Sequence, residues 1–264
     1  MRTILLSIIL LPFTLLSQSE IDFYNSNSLK IGIGFSRSAI KDLRLSNSTF
    51  NRIAPKYTIG YIQANENRIS SIDFSFSSFL AGQNTLLALK NLNIGIDYSY
   101  QRKVNKNIWI GGFLDHRTLL NFPKSKTWLY NNNPISYTLS QSIGPKITYG
   151  KQMGKLSGLA EFQTALLSYL VQPIYGHPYP DKFLDEEVFN PNLSGLAGPL
   201  LKSGKVVSLN KYRSFKLKMS LVYHFNHSIA TEIAFSTDCF YANANGKAVN
   251  YSGFDSMINF YYKH

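Results

Sequence analysis

The chain has 264 residues, with 27 Lys and Arg against 15 Asp and Glu, a formal net charge of +12, 14% aromatic residues and one cysteine, Cys239. A mean hydropathy of −0.11 argues against a helical membrane protein, because each spanning helix needs about 20 consecutive apolar residues. One cysteine excludes an internal disulfide.

The one long apolar run opens the chain. Arg2 supplies a positive start, Ile4 to Leu16 an apolar core interrupted by Pro12, and Leu15-Leu16-Ser17 a small residue at the expected cut. That core is too short for a permanent anchor. No cysteine lies near the cut to carry a lipid. Residues 1–17 therefore read as a cleaved signal peptide, with Gln18 first in a mature domain spanning 18–264.

Beyond the signal, apolar and polar residues alternate in short stretches. Strand one is predicted at about Leu29 to Arg37, strand two at about Lys56 to Gln63, and strand three at about Ile69 to Phe79. Strand four runs from about Asn91 to Arg102 and shows Leu92, Ile94, Ile96, Tyr98 and Tyr100 on one face. Strand five covers about Ile108 to His116. Strand six covers about Ser136 to Gly150, and strand seven, whose alternation is weakest, about Leu156 to Tyr169. Strand eight, about Tyr212 to Phe225, keeps Phe215, Leu217, Met219, Leu221, Tyr223 and Phe225 in step. Strands nine and ten are expected at about Ile229 to Ser236 and Tyr251 to Lys263.

The links between them alternate in length. Tight turns are predicted at 64–68, 103–107, 151–155 and 226–228, and longer connections near 38–55, 80–90, 117–135, 170–211 and 237–250. With an even strand number, all the tight turns and both chain ends fall on one side. A transmembrane β-barrel with short periplasmic turns and long outer loops has this split. A closed barrel in lipid also needs no disulfide, since it leaves no sheet edge. The expected fold is all-β: an antiparallel up-and-down transmembrane barrel of about ten strands, with eight to twelve possible.

Aromatic residues fall where membrane boundaries would be. Tyr61, Tyr100, Tyr149, Tyr223, Phe225 and Tyr262 sit at predicted periplasmic ends, and Tyr57, Tyr137, Phe215 and Phe254 near outer ends. A tyrosine ring is apolar and its hydroxyl wet, which suits a headgroup girdle. On these features the chain resembles the outer-membrane β-barrel proteins of Gram-negative bacteria, as an architecture and not as a sequence match. The resemblance implies residence in the cell outer membrane. The last strand, Met257 to His264, looks like the signal read by the barrel-assembly machinery. Phe260 and Tyr262 match it, while His264 takes the place of the usual terminal aromatic.

The opposite faces carry Lys30, Lys56, Asp73, Asp97, Lys146, Glu161, Lys216, Lys218, Glu232 and Asp255. A barrel of this size is largely filled by its own side chains. These charges read as a mutually neutralising network, and the competing reading is a narrow, weakly selective pore. An exported chain meets no cellular nucleic acid. Its basic excess is either a solvated surface or contact with outer-membrane lipid and lipopolysaccharide. For the latter, Arg37, Lys41, Arg44, Arg52, Arg117, Lys124 and Lys126 fall in predicted outer loops or at their edges.

The longest loop, about 170–211, carries Gln172 to Pro180, an acidic patch of Asp181, Asp185, Glu186 and Glu187, and Gly195 to Pro199. It reads as an ordered lid, plug or binding surface, and Lys205 to Leu209 as an extension of strand eight. Enzyme signatures are thin. Some barrels of this class hydrolyse lipid with Ser and His, and others peptides with Asp and His. Asp115 and His116 are neighbours on a strand, so they point to opposite faces. His227-Ser228 lies in a periplasmic turn, and His224 reads as a hydrogen-bonded lumen residue beside Lys216 and Lys218. The five histidines are scattered, so no metal set is expected, nor any catalytic or cofactor-binding set. Gly32, Gly34, Gly60 and Gly95 suit close packing in strands, not phosphate loops. Cys239 reads as a small inert residue near the outer rim. The leading expectation is a non-enzymatic barrel, either a small channel or a module displaying its outer loops. The alternatives are a barrel hydrolase of lipid or peptide, and a soluble exported β-protein.

Overall fold

The computed structural model describes residues 27–43, 49–81, 89–123, 136–172, 204–243 and 248–263. The expected signal peptide at 1–17, the interior of the long loop at 173–203, Arg44, Lys124, Lys126 and His264 lie outside the described residues.

Period-two alternation produces strands because successive side chains leave opposite faces of an extended backbone. The strands are β1 (Asn27–Asp42), β2 (Thr49–Asn65), β3 (Arg68–Ala81), β4 (Leu89–Asn105), β5 (Ile108–Pro123), β6 (Ser136–Met153), β7 (Leu156–Thr164), β8 (Leu167–Val171), β9 (Lys205–Ser208), β10 (Tyr212–His224), β11 (Ile229–Ala242) and β12 (Val249–Lys263). They form a closed antiparallel barrel of ten strands with two extra strands. Sequence neighbours pair from β1 to β7; β10, β11 and β12 follow. The ring closes where β1 pairs with β12 from Ser28↔Lys263 to Asp42↔Val249.

The two extra strands have a local cause. Opposite β6, Lys146 pairs with Gln163 of β7, but Ile143 pairs with Leu167 of β8. One side advances by one residue more than the other, which is a β-bulge at Ala165 and Leu166. Ala165 N donates to Ser214 O at 3.1 Å and Leu166 N to Ile143 O at 2.9 Å, so both amides stay satisfied. Leu166 and Leu167 are both exposed while Ala165 and Ser168 are buried. The bulge is why strand seven alternates poorly. β9 pairs with β8 above it and runs into β10 through a turn at 209–211, extending strand eight as expected.

Several strands run past the expected ends. Residues 38–42, 49–55, 117–123 and 237–242 were expected in outer loops and are strand. On these stretches the lumen face turns apolar, with Ile40, Leu119 and Phe240, while Arg37, Lys41 and Asn51 bring polar groups to the outward face, so the apolar-out alternation stops marking the strand while backbone pairing continues.

Apolar side chains face outward. Phe35 is 64% exposed, Ile53 69% and Ile31 55%, and Ile33, Ile233 and Ile258 stand side by side on β1, β11 and β12. Soluble monomers rarely expose contiguous apolar surface beyond a few hundred Å². Such a belt is stable facing hydrocarbon. All ten boundary aromatics named above lie on this outward face, and Tyr223 and Phe225 meet edge-to-face at 4.9 Å.

Charge is sorted by face. Among the described strands, the carboxylates Asp42, Asp73, Asp97, Asp115, Glu161, Glu232, Asp238 and Asp255 all point into the lumen. The outward charges are basic and sit toward the two ends: Arg37, Lys41 and Arg213 on the long-loop side, Arg68, Arg102 and Lys151 on the tight-turn side. Long basic side chains can lie along apolar surface with the charge in the interface.

The lumen as candidate functional site

The lumen is layered. At the tight-turn end Ala64, Ile69 and Trp109 pack with Ile62 and Leu159, and Val222, Ala230 and Tyr261 join them. At the long-loop end Ile40, Phe113, Leu119, Leu170, Val207, Tyr212, Phe240, Val249 and Tyr251 form a second apolar layer. Phe240 stacks on Tyr251 at 5.0 Å and near Tyr212 at 6.1 Å.

Between the layers the charges pair across the barrel. Lys30 pairs with Asp73, and Lys56 with Asp255 at 2.6 Å. Lys146 meets Glu161 at 2.9 Å, and Lys218 bridges Glu161 at 3.2 Å and Glu232 at 2.8 Å. Lys216 meets Asp97 at 3.3 Å, and Arg117 meets Asp238 at 2.6 Å. Neutral donors fill some of the remaining lone pairs. Asn259 Nδ2 and Tyr261 OH each donate to Glu232 Oε2 at 2.6 Å, Gln163 Nε2 to Asp97 Oδ2 at 2.8 Å, and Ser236 Oγ to Asp255 Oδ2 at 3.2 Å. Buried charges persist only when paired in this way. The Arg117 guanidinium also stands over the Phe240 and Tyr251 rings at 5.1 and 5.9 Å, tying the outer apolar layer to the charged one.

Close backbone approach makes this crossing possible. A Cβ on Gly60 would overlap the Asp73 carboxylate, and one on Gly32 the Asn259 amide. Both glycines leave floor space for a side chain from the neighbouring strand.

A central cavity of about 110 Å³ lies above one of about 70 Å³ nearer the tight turns. Lys30, Asp73, Lys146, Glu161 and Lys218 line both, so these ion-paired residues stand where the two cavities meet. Cavities of this size and polarity have room for ordered waters.

All ten lumen charges expected from the sequence face inward and enter this network. Asp115, Arg117 and Asp238 belong to it as well, and Arg52 faces the lumen at 4% exposure. Arg52 and Arg117 were expected at outer loop edges against lipid phosphate. Their burial inside the barrel corrects that placement. Continuing the β5 alternation from Trp109 through Phe113 would have found Arg117. Asp115 faces the lumen while His116 faces out, its Nε2 3.1 Å from Thr118 Oγ1, so the two do not share a pocket.

His224 faces the lumen as expected, but not beside Lys216 and Lys218. It sits at the tight-turn end, with Nε2 3.0 Å from Ser157 Oγ and Nδ1 3.2 Å from Lys263 Nζ. An ammonium only donates, so Nδ1 accepts and Nε2 carries the proton toward Ser157. That tautomer cannot take a proton from the serine, so the pair is not a nucleophile with its base. No group of three or more His, Cys, Asp or Glu among the described residues is arranged to hold a metal ion.

No family model matches the chain, and no curated protein matches it. Among solved structures it is similar to the outer membrane protease OmpT from Escherichia coli, at 8% identity and TM-score 0.49, covering 94% of this chain and 99% of that one. It is similar to the translocator domain of the autotransporter NalP from Neisseria meningitidis, at 8% identity and TM-score 0.48, covering 100% and 95%. It is also similar to a Pseudomonas aeruginosa FadL homologue, at 10% identity and TM-score 0.36, covering 90% of each. None of these likenesses distinguishes a single family.

Proposed function

We propose that this chain is an integral outer-membrane barrel of the Gram-negative envelope, exported by the segment at 1–17, with a closed lumen. It acts without catalysis, as a structural or interaction module that displays its long outer loops. The observation that carries this reading is the ion-paired cluster of Lys30, Asp73, Lys146, Glu161 and Lys218, lying between two apolar layers. An ion crossing it would have to part at least one buried pair and shed water among Trp109, Val222 and Tyr261. The outward apolar belt and the basic residues at its two edges support the membrane setting.

Planar-bilayer recording tests it. The wild-type barrel gives no steady ohmic conductance. The triple variant Lys30→Ala, Lys146→Ala, Lys218→Ala widens the place where the two cavities meet and raises leak events above that baseline. Steady open-channel conductance from the wild type would refute the closed module and favour a small channel.

A further inference from the structure

On the outward wall, close to the long-loop end, a shallow trench of about 510 Å³ crosses four strands. Ala39 of β1, Asn51 of β2, Thr237 and Cys239 of β11 and Ser252 of β12 form its floor. Their side chains are short because they sit side by side in register: Ala39 opposes Ser252 and Asn51, and Cys239 opposes Ser252. Arg37 and Phe254, which oppose each other, mark its membrane-side edge. Phe254 stacks with Phe235 at 6.2 Å below. Lys41 stands further out on the same face of β1.

Arg37 is exposed, and among the described residues neither Arg37 nor Lys41 has an ion-pair partner. No described carboxylate faces outward from the strands. The trench therefore has an apolar lower rim, a small-residue polar floor and one lining cation, Arg37, with Lys41 beyond it on the same face.

We propose that this trench binds the phosphorylated glycolipid of the outer leaflet. Arg37 takes a sugar phosphate, the recess of Ala39, Ser252 and Cys239 seats the sugar, and the Phe235 and Phe254 rings meet the first acyl methylenes. The pairing is charge-complementary: a guanidinium binds phosphate bidentately, and here it lies at the top of the apolar belt, where a headgroup phosphate sits. Lys41 meets a second anionic group further from the hydrocarbon. The site rests on the outer-membrane setting proposed above and not on whether the lumen is closed.

Cys239, the only cysteine of the chain, is a built-in reporter. Purified barrel in detergent micelles is labelled with a small maleimide while bisphosphorylated lipid A, its dephosphorylated form, or phosphatidylglycerol is titrated in. Bisphosphorylated lipid A slows labelling; the other two do not at the same concentrations. Arg37→Gln raises the half-protecting concentration by roughly tenfold or more, as expected for the loss of a charge-assisted contact. Arg102→Gln, at the opposite rim, leaves it unchanged. Arg37 is exposed and has no ion-pair partner among the described residues, and retained heat-modifiable migration verifies that the variant is folded. Equal protection by all three lipids means nonspecific coverage of an apolar wall and overturns the proposal. So does protection that Arg37→Gln does not weaken, or no protection at all.

Discussion

Lys218→Met tests the energetics of the lumen most sharply. Lys218 holds two carboxylates, Glu161 at 3.2 Å and Glu232 at 2.8 Å. Without it Glu161 keeps Lys146 at 2.9 Å, but Glu232, fully buried, loses its directly paired cation and keeps neutral donors such as Asn259 and Tyr261, with Lys30 acting on it from further off. Breaking a buried pair from one side costs about 3–5 kcal/mol. The Lys218 side chain is 20% exposed to lumen water, so the lower end, about 3 kcal/mol, applies. Glu232→Gln is milder, about 1 kcal/mol, because the amide oxygen still accepts from Asn259 and Tyr261 and Lys218 still has Glu161. The double variant removes both charges and keeps the volume, and it costs about 1 kcal/mol. The coupling energy is then about 3 kcal/mol. Equilibrium urea unfolding in lipid vesicles, read by heat-modifiable migration, measures each corner of the cycle. Single-variant effects that add to within about 0.5 kcal/mol would refute the claim that these charges work as one network.

Three further outcomes follow from the same geometry. Asp238→Asn costs about 3 kcal/mol because it strips the 2.6 Å partner from a buried Arg117, whereas Asp115→Asn, at 3.8 Å, is near neutral; urea midpoints separate them. Gly60→Ala forces a methyl into the Asp73 carboxylate beside Lys30 and costs about 1–3 kcal/mol in the same assay. Ile258→Arg, in the middle of the apolar belt, costs about 2–4 kcal/mol in vesicles, while Ile53→Arg, level with Arg37, costs about 1 kcal/mol or less.

The part of the fold that was legible is the part where two solvents meet. On β1, Leu29, Ile31, Ile33 and Phe35 face hydrocarbon and the residues between them face the lumen, so period two is written plainly in the sequence. The ten expected lumen charges were readable for the same reason. Legibility stopped where the apolar residues change face, with Ile40, Leu119 and Phe240 pointing inward. β5 continues to Pro123 and β11 to Ala242, beyond the belt, and Arg117 and Asp238 lie on those stretches. The bulge at Ala165 inverts the phase of the alternation for the rest of that strand, so the sequence shows only a weakened pattern there and not its cause. Ion-pair partners are set by the tilt and registers of distant strands. That is why Lys56 with Asp255, far apart in sequence, could not be matched from sequence.

The account rests on an apolar belt that has lipid as its solvent, and refolding of the mature chain tests it most directly. Urea-dissolved protein diluted into lipid vesicles or detergent acquires the compact, heat-modifiable form, and the same dilution into plain buffer yields aggregate. A monodisperse folded monomer in plain buffer would contradict the account.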